Sequence, residues 1–238
     1  MASQFQLGDT RVRVEFKDIK NVHLSVHPPA GRVSISAPRR MKLETVRLFA
    51  ISKLDWIRRQ QKEILTQERE PRREYLDRES HYVWGKRCLL TVSERDEPPS
   101  VLLKHTKLHL GLRPETTTER RHAIVEAWYR EQVRQAVPDL LAKWQPILGV
   151  NTAGFYVQRM RTRWGSCNPA ARTIRLNTDL AKKPQECLEY VVVHELVHLL
   201  EPTHNTRFVA LMDRFMPLWQ EHRKALNRLP VRHEDWEY

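Results

Sequence analysis

The chain has 238 residues, 40% of them hydrophobic and seven of them tryptophan, which is enough for one large domain or two small ones. No apolar run approaches the roughly 18 residues of a membrane span, and the N-terminus lacks a basic start followed by an apolar block. Cys88, Cys167 and Cys187 are widely spaced, which excludes a disulfide framework and a zinc knuckle. We therefore expect a soluble, cytoplasmic protein with no membrane segment.

The second general feature is a strong basic charge. Lys and Arg outnumber Asp and Glu by 41 to 29, which gives a net charge of +12 and a pI near 9.9. Such a balance favours anionic partners, nucleic acid or nucleotides among them. The basic residues are scattered, with no long block and no recognisable DNA-binding module. A solvated basic surface therefore explains the charge as well as a binding site does.

Residues 1–112 predict a β-rich N-terminal region that is crossed by one long helix. Short alternating segments over residues 11–37 indicate a meander of antiparallel strands. Over residues 42–67 the apolar residues recur at helical spacing, without Pro or Gly, and this helix should pack across the strands. After an exposed connector, further strands are predicted over residues 81–92 with a hinge at Gly85, over 101–103 and over 107–110.

Residues 113–238 have a different texture and predict a second domain. A long helix is expected from about Thr116 to Trp144, and Pro138 inside it should kink or divide it. Strands are expected over Gly154–Gln158 and Thr173–Asn177. Pro184 then opens another helix, because proline suits a first turn.

That last helix carries the pattern HExxH within residues 190–200. Residues four apart lie on one helical face, so His194 and His198 can bind one metal ion, with Glu195 beside them to take a proton from water that the metal activates. Seven of the eleven residues are Val or Leu and surround the helix, which predicts burial. Buried histidines and a carboxylate need compensation for lost solvation, which a divalent cation supplies. Chance copies of the motif usually fall on solvated or irregular segments instead.

A third histidine, His204, follows His198 by six residues. A turn at Pro202 would bring it back towards the other two, and zincins take their third protein ligand after such a break. Glu201 lies on the same helical face as the two histidines and is the alternative third ligand. Glu201 also stands where the metzincin pattern HExxHxxGxxH has glycine, which argues against a true metzincin. Thr203 or Asn205 should cap the next helix, on which His204 is expected.

Together these motifs resemble the YgjP-like metallopeptidases, relatives of the SprT and WLM zincins. The similarity extends over most of the chain, into the N-terminal part. The residues that carry it are Val33–Pro38, Leu54–Ile57, Trp84–Lys86, Arg163–Cys167, Ile174–Asn177, Tyr190–His198 and the spacing from His204 to Phe208.

The resemblance implies an α+β fold in which a zincin-like catalytic core with an HExxH active-site helix follows the β-rich region. It also implies a Zn²⁺ ion held by His194, His198 and His204, with Glu195 as the catalytic acid and base. It implies less about the substrate, because the family has also been linked to nucleotide pyrophosphatase activity.

We therefore predict a cytosolic zinc metallopeptidase that acts on a peptide or protein substrate. The alternatives are a metal-dependent nucleotide pyrophosphatase and a DNA-associated SprT-like protease or binding module. Arg163 and Tyr190 are candidates, by position, for stabilising an oxyanion or contacting substrate. The strand Thr173–Asn177 is expected to form the sheet edge along which an extended peptide would lie. The sequence does not indicate an oligomeric state.

Overall fold

The structure is a computed structural model, and it describes residues 2–27, 30–66, 73–160 and 163–229. The described chain forms two compact units, residues 2–66 and residues 73–229. Each unit has its own hydrophobic core.

The first unit is a four-stranded sheet with two helices. Its elements are β1 (Ala2–Leu7), β2 (Thr10–Lys17), β3 (His23–His27), β4 (Arg32–Pro38), α1 (Leu43–Ser52) and α2 (Leu54–Thr66). The strand order is β1-β2-β4-β3, with β2 and β4 parallel and the other pairs antiparallel. The predicted antiparallel meander is therefore wrong. Alternation determines which side chains face the core, but it does not determine which strands pair.

The helices of the first unit pack on the apolar face of this sheet. The predicted long helix is divided at Lys53, whose N–H donates to the Ala50 carbonyl at 3.1 Å before α2 begins. The fully buried residues of this core are Val12, Val14, Val33, Ile35, Ala37, Val46, Ala50 and Ile57.

The second unit contains the rest of the described chain. Its strands are β5 (Ser80–Val83), β6 (Lys86–Glu94), β7 (Ser100–Lys104), β8 (Lys107–Leu112), β9 (Gly154–Gln158), β10 (Gly165–Asn168) and β11 (Thr173–Asn177). Its helices are α3 (Thr118–Leu148), a 3₁₀ helix (Thr178–Lys182), α4 (Gln185–Val197), α5 (Thr206–Phe215) and α6 (Trp219–Arg228).

Strands β5 to β8 form a sheet in the order β5-β6-β8-β7, with the same pattern of strand directions as the sheet of the first unit. Its inner residues, among them Leu90 and Leu108, belong to one core together with Val125 and Tyr129 of α3. The structure therefore divides the chain before β5, and the boundary predicted at residue 112 differs from it. A change in sequence texture at that point reflects a change from strands to helices within one core.

Helix α3 runs without interruption through both Pro138 and Pro146, so the expected division at Pro138 does not occur. Val133, Val137, Leu141 and Trp144 are all buried and follow one another on the same helical face on both sides of Pro138. This continuous buried stripe outweighs the cost of about 3 kcal/mol that a proline brings to a helix interior. Among the described residues, no helix is long and apolar enough to cross a membrane.

The hairpin that joins β5 and β6 reaches the start of α4. Trp84 and Gly85 form its turn with φ values of 50° and 77°, and their N–H groups donate to the carbonyls of Ala181 and Lys182 at 2.8 and 3.2 Å. A Cβ on Gly85 would lie 2.8 Å from Cγ of Pro184. Gly85, the predicted hinge, therefore lies in a tight turn. This turn packs closely against Pro184, the residue that precedes α4.

His81 of β5 is a buried neutral histidine. Its side chain is 3% exposed, and Nε2 lies 3.1 Å from Glu79 Oε1. The pKa of His81 is lowered to about 4, mainly by burial and also by the nearby charges of Arg73 and Lys182, while Glu79 opposes them. The close approach to Glu79 is therefore not an ion pair at neutral pH.

This burial makes stability depend on pH. Between pH 6.5 and about 4 the unfolded chain binds a proton at residue 81 and the folded chain does not, so the stabilisation is complete above pH 6.5 and is lost as the pH falls towards 4. We expect His81 to contribute a loss of about 2 kcal/mol between pH 7.5 and 5. This contribution is the difference between the wild type and His81→Gln in how much the free energy of unfolding in urea changes between the two pH values. The other histidines contribute equally to both proteins. An identical pH dependence in the two proteins would contradict this assignment.

Candidate metal centre

Helix α4 supplies the first two histidines and the glutamate. Pro184 precedes its first residue, and every residue from Cys187 to Val197 except Glu189 and His194 is buried. The regular helix ends at Val197, but His198 keeps helical dihedral angles and its N–H donates to the His194 carbonyl at 3.3 Å. His194 and His198 therefore still share one face of the helix.

The chain then turns and brings His204 back. The side chain of Asn205 caps α5 by accepting a hydrogen bond from the Phe208 N–H at 3.0 Å. His204 lies immediately before this cap, so the expectation that it lies on the following helix is wrong. Of the two predicted caps, Asn205 has this role, while the Thr203 hydroxyl donates to Glu201 Oε1 at 3.0 Å.

The three histidines converge. One ring nitrogen from each of His194, His198 and His204 lies within 4.8 Å of the other two, and Nε2 of His194 is 2.9 Å from Nε2 of His204. Phe208 packs against all three rings, with centroid distances of 4.9, 4.7 and 4.7 Å.

The electrostatics of the site keep the histidines neutral. Burial is the main cause of a lowered pKa at all three, and at His194 the two neighbouring imidazoles help to bring the pKa to about 3. Nδ1 of His198 lies 3.1 Å from the Glu201 carbonyl oxygen, which only accepts, so Nδ1 carries the proton and Nε2 keeps its lone pair. His194 Nδ1 is buried without a hydrogen-bond partner among the described residues.

Glu201, the alternative third ligand, lies elsewhere. Its Oε1 accepts from Thr203, and its Oε2 is 4.0 Å from the guanidinium of Arg207. Glu201 is not part of the three-histidine group, and it contributes its main-chain carbonyl to His198 instead. The path of the turn after α4 determines which of the two candidate side chains joins the histidine pair. It carries His204 towards the helix, whereas the Glu201 carboxylate accepts a hydrogen bond within the turn itself.

Glu195 lies beside the histidines with its carboxylate buried. The residue is 4% exposed, and Oε2 has no hydrogen-bond partner among the described residues. Burial raises the pKa of Glu195 to about 8, and the positive charge of Arg163 acts in the opposite direction. A buried carboxylate oxygen without a donor is suited to accept a hydrogen bond from a water molecule.

The residues present fit a divalent metal ion. Three neutral imidazoles are a donor set that binds zinc and other late transition metals, and in catalytic zinc sites three protein ligands leave a position open. The outer hydrogen bond of His198 is the kind that fixes a metal-binding tautomer. His194, His198 and His204 could hold the ion, and Glu195 could act on a water molecule next to it.

The two other candidate residues have different surroundings. Tyr190 is 6% exposed, its ring stacks on Trp219 at 6.5 Å, and burial raises the pKa of its hydroxyl to about 12. Arg163 has an exposed side chain whose charge reaches Glu195. Two further residues lie near the site and were not among the predicted site residues. They are Asn177, whose Nδ2 donates to the carbonyls of Met160 and Arg163 at 2.8 and 2.9 Å, and Arg223, whose charge lowers the pKa of His194 and His204.

The three-stranded sheet beside α4 has the order β10-β11-β9. β11 pairs antiparallel with β10 and parallel with β9, so the expectation that Thr173–Asn177 forms a sheet edge is wrong. The edge next to α4 is β10, which was not predicted to be a strand because Gly165 and Ser166 have low strand propensity. Pairing with β11 imposes the extended conformation on these residues.

The fold and the site together define an α+β protein with a candidate metal centre. Over residues 20–229 the sequence matches the YgjP-like metallopeptidase domain, and the chain belongs to this family. The family implies a metallohydrolase that uses a divalent metal, and the three-histidine group is able to hold one.

Comparisons with other proteins add little to this assignment. No curated protein matches the sequence. Among solved structures, the metallopeptidase zymogen of Pyrococcus abyssi abylysin is 23% identical with a TM-score of 0.36, covering 38% of this chain and 90% of that one. The metallopeptidase zymogen of Methanocaldococcus jannaschii jannalysin is 20% identical with a TM-score of 0.34, covering 38% and 92%. Similarities at this level carry no conclusion for this chain.

Proposed function

We propose that the protein is a zinc-dependent metallopeptidase with a zincin-like catalytic core. One observation carries the proposal: three neutral histidines converge beside a buried glutamate whose Oε2 has no donor. His194, His198 and His204 hold the ion, and Glu195 is the general base. The family assignment supports the same chemistry.

When held by the three imidazoles, a zinc ion would lower the pKa of water towards neutrality and would polarise a carbonyl group. The protein's own contribution is proton transfer. Glu195 accepts a proton from the attacking water and passes it to the leaving amine, a role that suits a carboxylate whose pKa lies near the working pH. The carboxylate is buried, so bulk water does not compete for the proton.

Substrate contacts follow from the surroundings of Glu195. Arg163 is the better candidate for stabilising the oxyanion, because its exposed cation lies near Glu195 whereas the Tyr190 ring is buried against Trp219. We place an extended peptide beside β10, which among the described strands pairs only with β11, so that strand addition would extend the sheet. These contacts would fit a peptide or protein substrate.

Nucleotide hydrolysis and a DNA-associated role are the alternatives, and the net charge of +12 is the observation that favours them. A magnesium-dependent phosphohydrolase usually needs clustered carboxylates. The three histidines are the one group of three or more metal-binding side chains in the part of the chain that the structure describes. Peptide hydrolysis therefore remains the first proposal, with a cytoplasmic location that the three free thiols favour.

A substrate panel tests the proposal. We expect the purified protein to hold about one zinc ion per chain by plasma mass spectrometry. It should cleave members of a quenched fluorescent peptide library, lose this activity with 1,10-phenanthroline, and regain it with added zinc. Nucleoside triphosphates and labelled single-stranded DNA are included side by side. Cleavage of triphosphates without cleavage of any peptide would replace the proposal with the nucleotide alternative.

A further inference from the structure

Gly165, the first residue of β10, lies against the catalytic carboxylate. A Cβ built on Gly165 would be 2.6 Å from Glu195 Oε1, 2.9 Å from Glu195 Cγ and 2.9 Å from Cγ1 of Val191. Carbon atoms in contact normally stay about 3.5 Å apart or more. Any side chain at residue 165 would therefore occupy space that Glu195 now fills.

The backbone conformation does not explain this glycine. Gly165 is not among the glycines with a positive φ, so an L-residue would adopt its conformation without strain. What requires glycine here is the space beside Glu195.

Pairing with β11 holds the backbone of Gly165 in place. Gly165 pairs with Leu176 in the antiparallel ladder between β10 and β11, and the Asn177 N–H donates to the Trp164 carbonyl at 2.9 Å. On the other side, Val191 is buried one turn before Glu195 on α4. The backbone of β10 and the helix thus leave the Glu195 side chain as the part that can move.

Glu195 Oε2 has no hydrogen-bond partner among the described residues, so no donor seen there fixes that oxygen. Packing against Gly165 then limits how far the side chain can turn towards the sheet.

We propose that Gly165 is a positioning residue, whose bare backbone sets the location of the Glu195 carboxylate beside the three histidines. The inference rests on the proposed role of Glu195 as the base. A methyl group at residue 165 displaces the carboxylate by about 1 Å. The three atoms nearest to this methyl group belong to Glu195 and Val191, so we expect the imidazoles to keep their positions.

The first test is kinetic and uses the full-length zinc-loaded protein with one peptide chosen from the library. Gly165→Ala should lower kcat about 100-fold, because a displacement of about 1 Å can cost that much, with KM and zinc content unchanged.

Gly154→Ala is the matched control, since Gly154 lies in the same sheet with no atom within 4 Å of its Cβ position. A kcat for Gly165→Ala equal to that of Gly154→Ala would overturn the proposal.

The second test needs no activity. In metal-free protein, Gly165→Ala should lower the urea midpoint clearly in the Glu195 background and much less in a Glu195→Ala background. Equal effects in both backgrounds would overturn the contact. If Gly165→Ala does not fold, rescue of folding by Glu195→Ala supports the proposal and failure to rescue contradicts it. If the wild type cleaves no peptide, the proposed function fails, and this cycle still decides whether Gly165 sets the carboxylate position.

Discussion

Glu195→Gln should keep the metal and lose hydrolysis. The amide is nearly the same size as the carboxylate, and Glu195 is not among the three convergent metal-binding side chains, so the zinc content should stay at the wild-type level. Glutamine cannot accept the proton from water, and loss of a general base costs about 10²- to 10⁴-fold in rate. We expect kcat to fall within this range while KM for the same peptide stays close to the wild-type value.

Glu186→Gln provides the matched control for this experiment. This substitution replaces the same residue type on the same helix. Glu186, however, lies exposed in the first turn of α4, away from the histidines. It should retain full activity. Undiminished turnover in Glu195→Gln, with zinc bound, would show that another group takes the proton and would remove the mechanism proposed for this site.

His204→Ala should release the metal, and Glu201→Gln should not. The structure brings the His204 imidazole to the other two histidines, whereas the Glu201 carboxylate bonds to Thr203. Removal of an outer hydrogen-bond partner already costs about 10- to 100-fold in metal affinity, so loss of a direct ligand should exceed about 100-fold. Competition with a fluorescent zinc chelator measures both variants.

The Glu201→Gln variant is informative because it leaves the main chain intact. The carbonyl of residue 201, which accepts from His198 Nδ1, is still present, so the orientation of His198 should persist. Zinc affinity within about threefold of wild type is the expected result, because the Glu201 carboxylate is not one of the converging ligand groups. Retained affinity in His204→Ala together with lost affinity in Glu201→Gln would reverse the assignment of the third ligand.

The part of the site on α4 follows from local sequence. His198 lies four residues after His194 and three after Glu195, and helical geometry alone brings the His198 side chain near the other two. The surrounding valines and leucines predicted burial of that helix, and the structure has it buried. The alternation of apolar and polar residues likewise predicted strands β2, β4, β5 and β6 within a few residues of their observed bounds. It could do so because a period of two residues is a local property of the sequence.

The parts that failed depend on contacts between distant residues. Pairing of β2 with β4, inclusion of β5 to β8 in the core of the second unit, and the position of β10 at the sheet edge all require knowledge of which strands meet. Strand pairing has no local periodicity of its own. The path of the chain after α4, which brings in His204 and turns Glu201 away, is a tertiary outcome of the same kind.

By itself, then, the sequence determined a buried helix with two histidines and a glutamate on it, and the histidine that follows, since helical spacing and residue chemistry are local. Only the tertiary structure decided that His204 joins the site, that Asn177 holds the loop carrying Arg163, and that Gly165 lies against the Glu195 carboxylate. The Gly165 contact joins residues 30 positions apart, because the edge strand β10 packs against α4. No pattern within either segment encodes that approach, because it exists only once the sheet and the helix have packed together.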